Sequence, residues 1–77
     1  MTKSVFTERY QVFLTLLVQA RQKQGLTQRD LALKLNRVHS FVAKYEQGER
    51  RLDVIEFLEI AKALDADPCK IIKQLLK

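Results

Sequence analysis

TQRDLALKLNRVHSFVAKYEQG, residues 27–48, reads as two short helices joined by a tight turn, and the rest of the chain reads as support for it. In its first half Leu31, Ala32 and Leu35 form an apolar stripe at helical spacing, preceded by Thr27 with Asp30 three residues on. That pair spells a capping box. The Thr27 hydroxyl accepts from an orphan amide of the first turn, while the Asp30 carboxylate reaches back and complements the helix dipole. In the second half Val38, Val42 and Tyr45 share one helical face, and Ser40, Ala43, Lys44 and Gln47 share the opposite one. One face packs and the other is left open. Asn36 falls between the two, where a steep crossing needs a residue that tolerates positive φ. Ala32 is the smallest residue on the packed face and lets the second helix approach closely.

Two helices joined in this way form a helix-turn-helix. Seventy-seven residues make one domain, near the lower size at which a chain buries a self-sufficient core, so helical propensity has to be high throughout. With one Pro and two Gly, it is. The 47% hydrophobic and 30% charged content belongs to a globular chain and excludes intrinsic disorder. A single Cys excludes an internal disulfide and, with no signal-peptide pattern, points to a reducing cytoplasm. The most apolar run, Val12 to Val18, is interrupted by Thr15 and is too short to span a bilayer, so no membrane role is expected.

Charge is unevenly placed. Residues 21–51 carry eight bases and three acids, whereas residues 52–69 carry one base and five acids. The last eight residues add three lysines. A positive field centred on the two-helix stretch is what a phosphate-facing surface requires.

Working outward, a first helix is expected from about Val5 to Gln24, capped by Ser4 or Thr7, with Phe6, Tyr10, Phe13, Leu17 and Ala20 as its buried stripe. Val12 and Leu16 widen that stripe, for core packing or for a subunit interface. Gly25 ends the helix in a left-handed cap, with Leu26 packed behind it. Asp53 with Glu56 forms a second capping box. It opens a helix whose Val54, Phe57, Leu58, Ala61 and Leu64 build the core and whose acids face away from the basic surface. Asp67-Pro68 starts the last helix, about residues 68–77. Cys69, Ile71, Ile72, Leu75 and Leu76 cover an arc of about 160° there, wider than one core contact needs. One edge closes the domain. The other, formed by Cys69, Ile72, Leu75 and Leu76, is expected to form a two-fold dimer, with Cys69 a small buried apolar residue.

Arg21 with Gly25, Leu26-Thr27-Gln28, Leu31-Ala32, Tyr45-Glu46-Gln47-Gly48 and Ile60-Ala61-Lys62-Ala63-Leu64 occur in an order and spacing that resemble the Cro/repressor family of bacterial and phage regulators. That family is also called lambda-repressor-like or XRE, and the likeness runs from about Phe13 to Leu76. The resemblance implies a compact, all-α, five-helix fold with the helix-turn-helix in helices two and three. It also implies that Arg21 pairs with Glu46 to lock helix one against helix three, and that Gln28 bonds a phosphate and braces the recognition helix; Gln28 also reads as an ordinary polar first-turn residue. Two residues depart from the pattern. Val38 stands where a Ser or Thr usually caps helix three, at a cost of about 1 kcal/mol, and Arg37 replaces an aliphatic in the turn. Val38 is then expected to fill the core slot that Arg37 vacates, leaving Arg37 free to meet a phosphate.

Helix three, about His39 to Gln47, is the recognition helix on this reading. His39, Ser40, Ala43 and Lys44 are expected to meet base edges in the major groove of double-stranded DNA. Thr27, Gln28, Arg37, Gln47, Arg50 and Arg51 are expected to meet phosphates. Phe41 either covers the edge of the core or touches a thymine methyl. The lone His39 and lone Cys69 offer no metal-ligand spacing, and no catalytic constellation or glycine-rich phosphate loop appears. An enzyme, a metal, a cofactor and a small-molecule ligand are therefore not expected. The expected function is a homodimeric transcriptional regulator, repressing by occupancy of a near-palindromic operator, with a toxin or polymerase as a possible protein partner. The competing class is a protein-docking module of the same fold, such as an antitoxin.

Overall fold

The computed structural model describes residues 7–77, and these form five α-helices and no strand. They are α1 (Glu8–Lys23), α2 (Gln28–Lys34), α3 (Ser40–Glu46), α4 (Val54–Ala63) and α5 (Pro68–Leu75). Local chemistry sets most of these ends. Thr7 caps α1 by accepting from the Tyr10 amide at 3.2 Å; the alternative cap Ser4, with Val5 and Phe6, lies outside the described residues. Both capping boxes close as expected, Thr27 with Asp30 on α2 and Asp53 with Glu56 on α4. Asp67 accepts from the Cys69 amide at 2.9 Å ahead of Pro68 at the first turn of α5.

Each of the first four helices ends in the same device. Gly25, Asn36, Gly48 and Asp65 adopt positive φ, and the next residue's amide reaches back to the carbonyl of the third-last helical residue. Leu26 bonds Arg21, Arg37 bonds Ala32, Glu49 bonds Lys44 and Ala66 bonds Ala61, at 2.9–3.2 Å. These are Schellman caps, which satisfy the last carbonyls and turn the chain sharply. Asp65 at φ 54° was not anticipated; Asp reaches the left-handed region less readily than Gly or Asn.

The core joins all five helices: Leu14 and Leu17 from α1, Leu31 and Ala32 from α2, Phe41, Val42 and Tyr45 from α3, Phe57 and Ile60 from α4, and Ile71 from α5. Ala32 is fully buried where α2 meets α3, so a larger side chain there would overpack the crossing by about 1–3 kcal/mol. Tyr45 is fully buried too, and its hydroxyl finds no hydrogen-bond partner among the described residues. Burial pushes this phenol well above its usual pKa.

Several core expectations are overturned. Val38 is 73% exposed, because it precedes the first turn of α3 and helical spacing does not apply to it. Phe41 takes the core position instead, at 6% exposure. Val54 and Leu58 lie on the open side of α4, whose buried residues are Glu56, Phe57, Ile60 and Ala61. Cys69 is exposed on the first turn of α5, not buried. Among the described residues, no helix is long and apolar enough to cross a membrane.

Candidate nucleic-acid interface

The outward side of α3 is built by what holds its inward side. Seven residues are too few for a helix to persist alone in water, so α3 depends on its tertiary contacts. Phe41, Val42 and Tyr45 anchor one side, with the Phe41 and Tyr45 rings meeting edge to face at 5.4 Å. His39 precedes the helix and its side chain makes no capping hydrogen bond, so the first turn of α3 has no side-chain cap. His39, Lys44 and Gln47 stand exposed, while Ser40 and Ala43 are half-buried between them. His39, Ser40, Ala43 and Lys44 are the residues expected to face bases, and Gln47 at the end of the strip is the one expected to meet a phosphate.

At the far end of α3, Glu46 ties three helices together. Arg21 Nε donates to Glu46 Oε2 at 2.8 Å and Arg21 Nη2 to Oε1 at 3.1 Å, while its Nη1 donates to the Leu26 carbonyl at 2.8 Å. Gln28 Nε2 adds a further bond to Glu46 Oε1 at 2.8 Å. The ion-pair side chains are 12% and 6% exposed, and the bonds that Arg21 donates to Glu46 raise the Arg21 pKa above its ordinary value. The expected Arg21–Glu46 lock is therefore present. Gln28 braces α3; its amide nitrogen is already directed at Glu46.

At the near end, a second carboxylate does comparable work, and sequence reasoning missed it. Glu56 accepts from Arg50 Nη1 at 3.0 Å and Nη2 at 2.7 Å, from the Asp53 amide at 3.0 Å, and from Arg37 Nη2 at 3.5 Å. Both guanidiniums lie over the Phe41 ring, Arg37 at 4.6 Å and Arg50 at 5.1 Å from its centroid. The Arg50 bonds, the Asp53 amide and Arg37 together hold the Glu56 carboxyl down at about 2. Arg37 is thus not free, as the turn had suggested, since Glu56 and Glu59 both lie within ion-pair reach. Nor do all the acids of α4 face away from the basic surface. Phe41, roofed by two arginines, serves the core and has no open face for a thymine methyl on that side.

Of the remaining positions, Thr27 uses its hydroxyl oxygen to cap α2. Its amide and hydroxyl hold the Asp30 carboxylate below the ordinary pKa. Arg51 stacks on the Tyr10 ring at 4.3 Å, and the Tyr10 hydroxyl accepts from the Leu52 amide at 3.3 Å. On α5 Ile72 is exposed and Leu75 is partly buried against the core, and Leu76, just past the helix, is exposed. Among the described residues no cluster of three or more His, Cys, Asp or Glu groups could hold a metal ion.

This geometry has counterparts in known proteins. The family model described as helix-turn-helix matches residues 17–71. Among solved structures, an XRE-family like protein from Pseudomonas syringae pv. tomato str. DC3000 is 45% identical, with a TM-score of 0.87 over 97% of this chain and 94% of that one. A point mutant of the restriction-modification controller protein C.Esp1396I superposes with a TM-score of 0.79 over 91% of this chain and 89% of that one. At 24% identity its likeness speaks for the fold alone. No curated protein matches the chain.

Proposed function

Since the chain belongs to the XRE family of helix-turn-helix DNA-binding proteins, we propose that it is a sequence-specific transcriptional regulator that binds a near-palindromic operator as a homodimer and represses by occupying it. The observation that carries this reading is the division of α3. Glu46 ties its C-terminal end to α1 and α2, and Phe41 near its start packs under Arg37 and Arg50, which Glu56 holds, while His39, Ser40, Ala43, Lys44 and Gln47 form a continuous outward strip. A helix presented in this way fits the major groove. Ser40 can bond any base, Lys44 suits guanine O6 and N7, and Ala43 suits a thymine methyl. Thr27, Gln47 and Arg51, with the guanidiniums of Arg37 and Arg50, surround the strip as phosphate contacts, and Gln28 joins them through the second N–H of its side-chain amide.

A dimer is supported by apolar surface that the fold leaves uncovered. Ile72, Leu58 and Val54 are 44%, 44% and 70% exposed. They border a groove of about 400 Å³ that also reaches Tyr10, Phe13 and Leu75. Exposed apolar surface of this kind marks an interaction site. A dimer bound to such an operator places its two recognition helices about 34 Å apart, one turn of DNA, or a multiple of it.

The test is selection from random duplex DNA at about 150 mM salt, with protein at several concentrations. Enrichment of a two-fold symmetric site, taken up cooperatively, is the expected result. Lys44→Ala then shifts the preferred bases, whereas Arg51→Ala weakens all sequences alike. Weak, sequence-blind binding would refute the regulator and turn the search to a protein partner.

A further inference from the structure

Between the α2–α3 turn and the loop after α3 lies a shallow cleft of about 420 Å³. Arg37, Lys44 and Arg50 line it together with Ser40, and Phe41 contributes an apolar wall. Beneath two of these cations lies one anion, Glu56, whose side chain is 11% exposed. We propose that this cleft seats one backbone phosphate of duplex DNA, and that Glu56 is the positioning residue that makes it a phosphate site by fixing Arg50 and Arg37 on the Phe41 ring. The inference rests on the DNA-binding reading above and goes beyond it by assigning a DNA-directed role to an acid.

The argument is one of donor supply. A guanidinium has five N–H donors. Arg50 spends three, two on Glu56 and one on the Arg51 carbonyl, which leaves its Nε–H and one Nη2–H for a ligand. Arg37 spends one, on a long 3.5 Å bond. Neither side chain is sealed, with 36% of Arg37 and 42% of Arg50 exposed. A flexible arginine on a surface loop loses side-chain entropy when it grips an anion. Here the carboxylate and the ring have already imposed that order, so the remaining donors are presented ready-made. The cleft keeps a net positive charge, three cations against Glu56 and, 3.8 Å from Arg37, the more exposed Glu59, and the Ser40 hydroxyl supplies a neutral donor beside them.

The proposal makes a prediction opposite in sign to simple electrostatics. Removing an acid near DNA strengthens binding if charge alone matters. Glu56→Gln removes the acid but keeps an acceptor for the Asp53 amide, since Gln serves at that capping-box position. The expected result is binding weakened about 5-fold at 0.15 M salt, with the slope of log K against log salt reduced by about one, as one phosphate contact is lost. Glu49→Gln, in the exposed loop beside Arg50, is the charge control and does not weaken binding. In a chain already carrying Arg37→Gln and Arg50→Gln, Glu56→Gln has no further weakening effect. If Glu56→Gln tracks Glu49→Gln with the wild-type salt slope, the proposal is overturned while the DNA-binding reading stands. If the wild type itself shows no salt-dependent duplex binding, the reading beneath it falls instead. Circular dichroism reports the fold of each variant. Should Glu56→Gln unfold, the doubly substituted Arg37→Gln, Arg50→Gln chain decides: a reduced slope supports the cleft, and an unchanged one overturns it.

Discussion

Arg21→Met tests how far the lock at Glu46 holds the molecule together. The substitution keeps a side chain of similar length but removes the guanidinium that donates to Glu46 at 2.8 and 3.1 Å and to the Leu26 carbonyl at 2.8 Å. Glu46, 6% exposed, is left with the Gln28 amide as its only side-chain donor among the described residues. Breaking a buried pair from one side costs about 3–5 kcal/mol, because the surviving charge is desolvated without compensation. A chain of 77 residues has about 4–12 kcal/mol of stability in all. At about 4–8 °C per kcal/mol, Tm should fall by at least 12 °C. The assay is urea and thermal unfolding by circular dichroism on Arg21→Met, Glu46→Met and the double variant. The double should recover part of the loss, since it leaves no buried charge, and the coupling should be about 2 kcal/mol or more. A loss below about 1 kcal/mol in Arg21→Met, with strict additivity in the double, would refute the lock, for that is how an exposed pair behaves.

Three further outcomes follow from other parts of the structure. Glu56 has its carboxyl held at about 2, against an ordinary 4.5, so its stabilising contribution is complete above about pH 4.5 and is lost as pH falls toward 2; acid titration of the fold should show that loss and Glu56→Gln should abolish it. Ile72→Lys with Leu76→Lys places charges on exposed α5 positions; sedimentation should show a monomer, with Tm almost unchanged, and an intact dimer would remove this surface from consideration. Asn36→Gly should be tolerated at φ 58°, while Asn36→Val should cost about 1–2 kcal/mol in denaturant unfolding; equal stability of the two would contradict the left-handed cap.

What could be read from the chain beforehand was mostly local. Thr27 and Asp30, Asp53 and Glu56, Asp67 and Pro68, Gly25 and Asn36 each act within a few residues of themselves, and each does in the fold what its spacing implied. The five-helix arrangement follows from those boundaries. Errors arose where burial had to be inferred from apolarity. Val54, Leu58 and Val38 are apolar yet exposed, and apolar composition never guarantees an interior position. The candidate site was legible as a strip but not as a network. Arg37 and Arg50 meet Glu56 across 19 and 6 residues, and such pairs leave no periodic trace in a sequence. One clue was available: an acid at a capping position, six residues after an arginine, can serve both.

Along α3 and its flanks, residues that fold the protein and residues that face outward are different residues. Phe41, Val42, Tyr45 and Glu46 are committed to the interior, and His39, Lys44 and Gln47 carry no interior duty. Mutation can therefore change what the helix presents outward without first passing through an unstable intermediate. A small regulator built like this can drift from one operator to another by single substitutions, each surviving long enough to be selected. Close relatives with superposable backbones would then be expected to recognise unrelated DNA sequences.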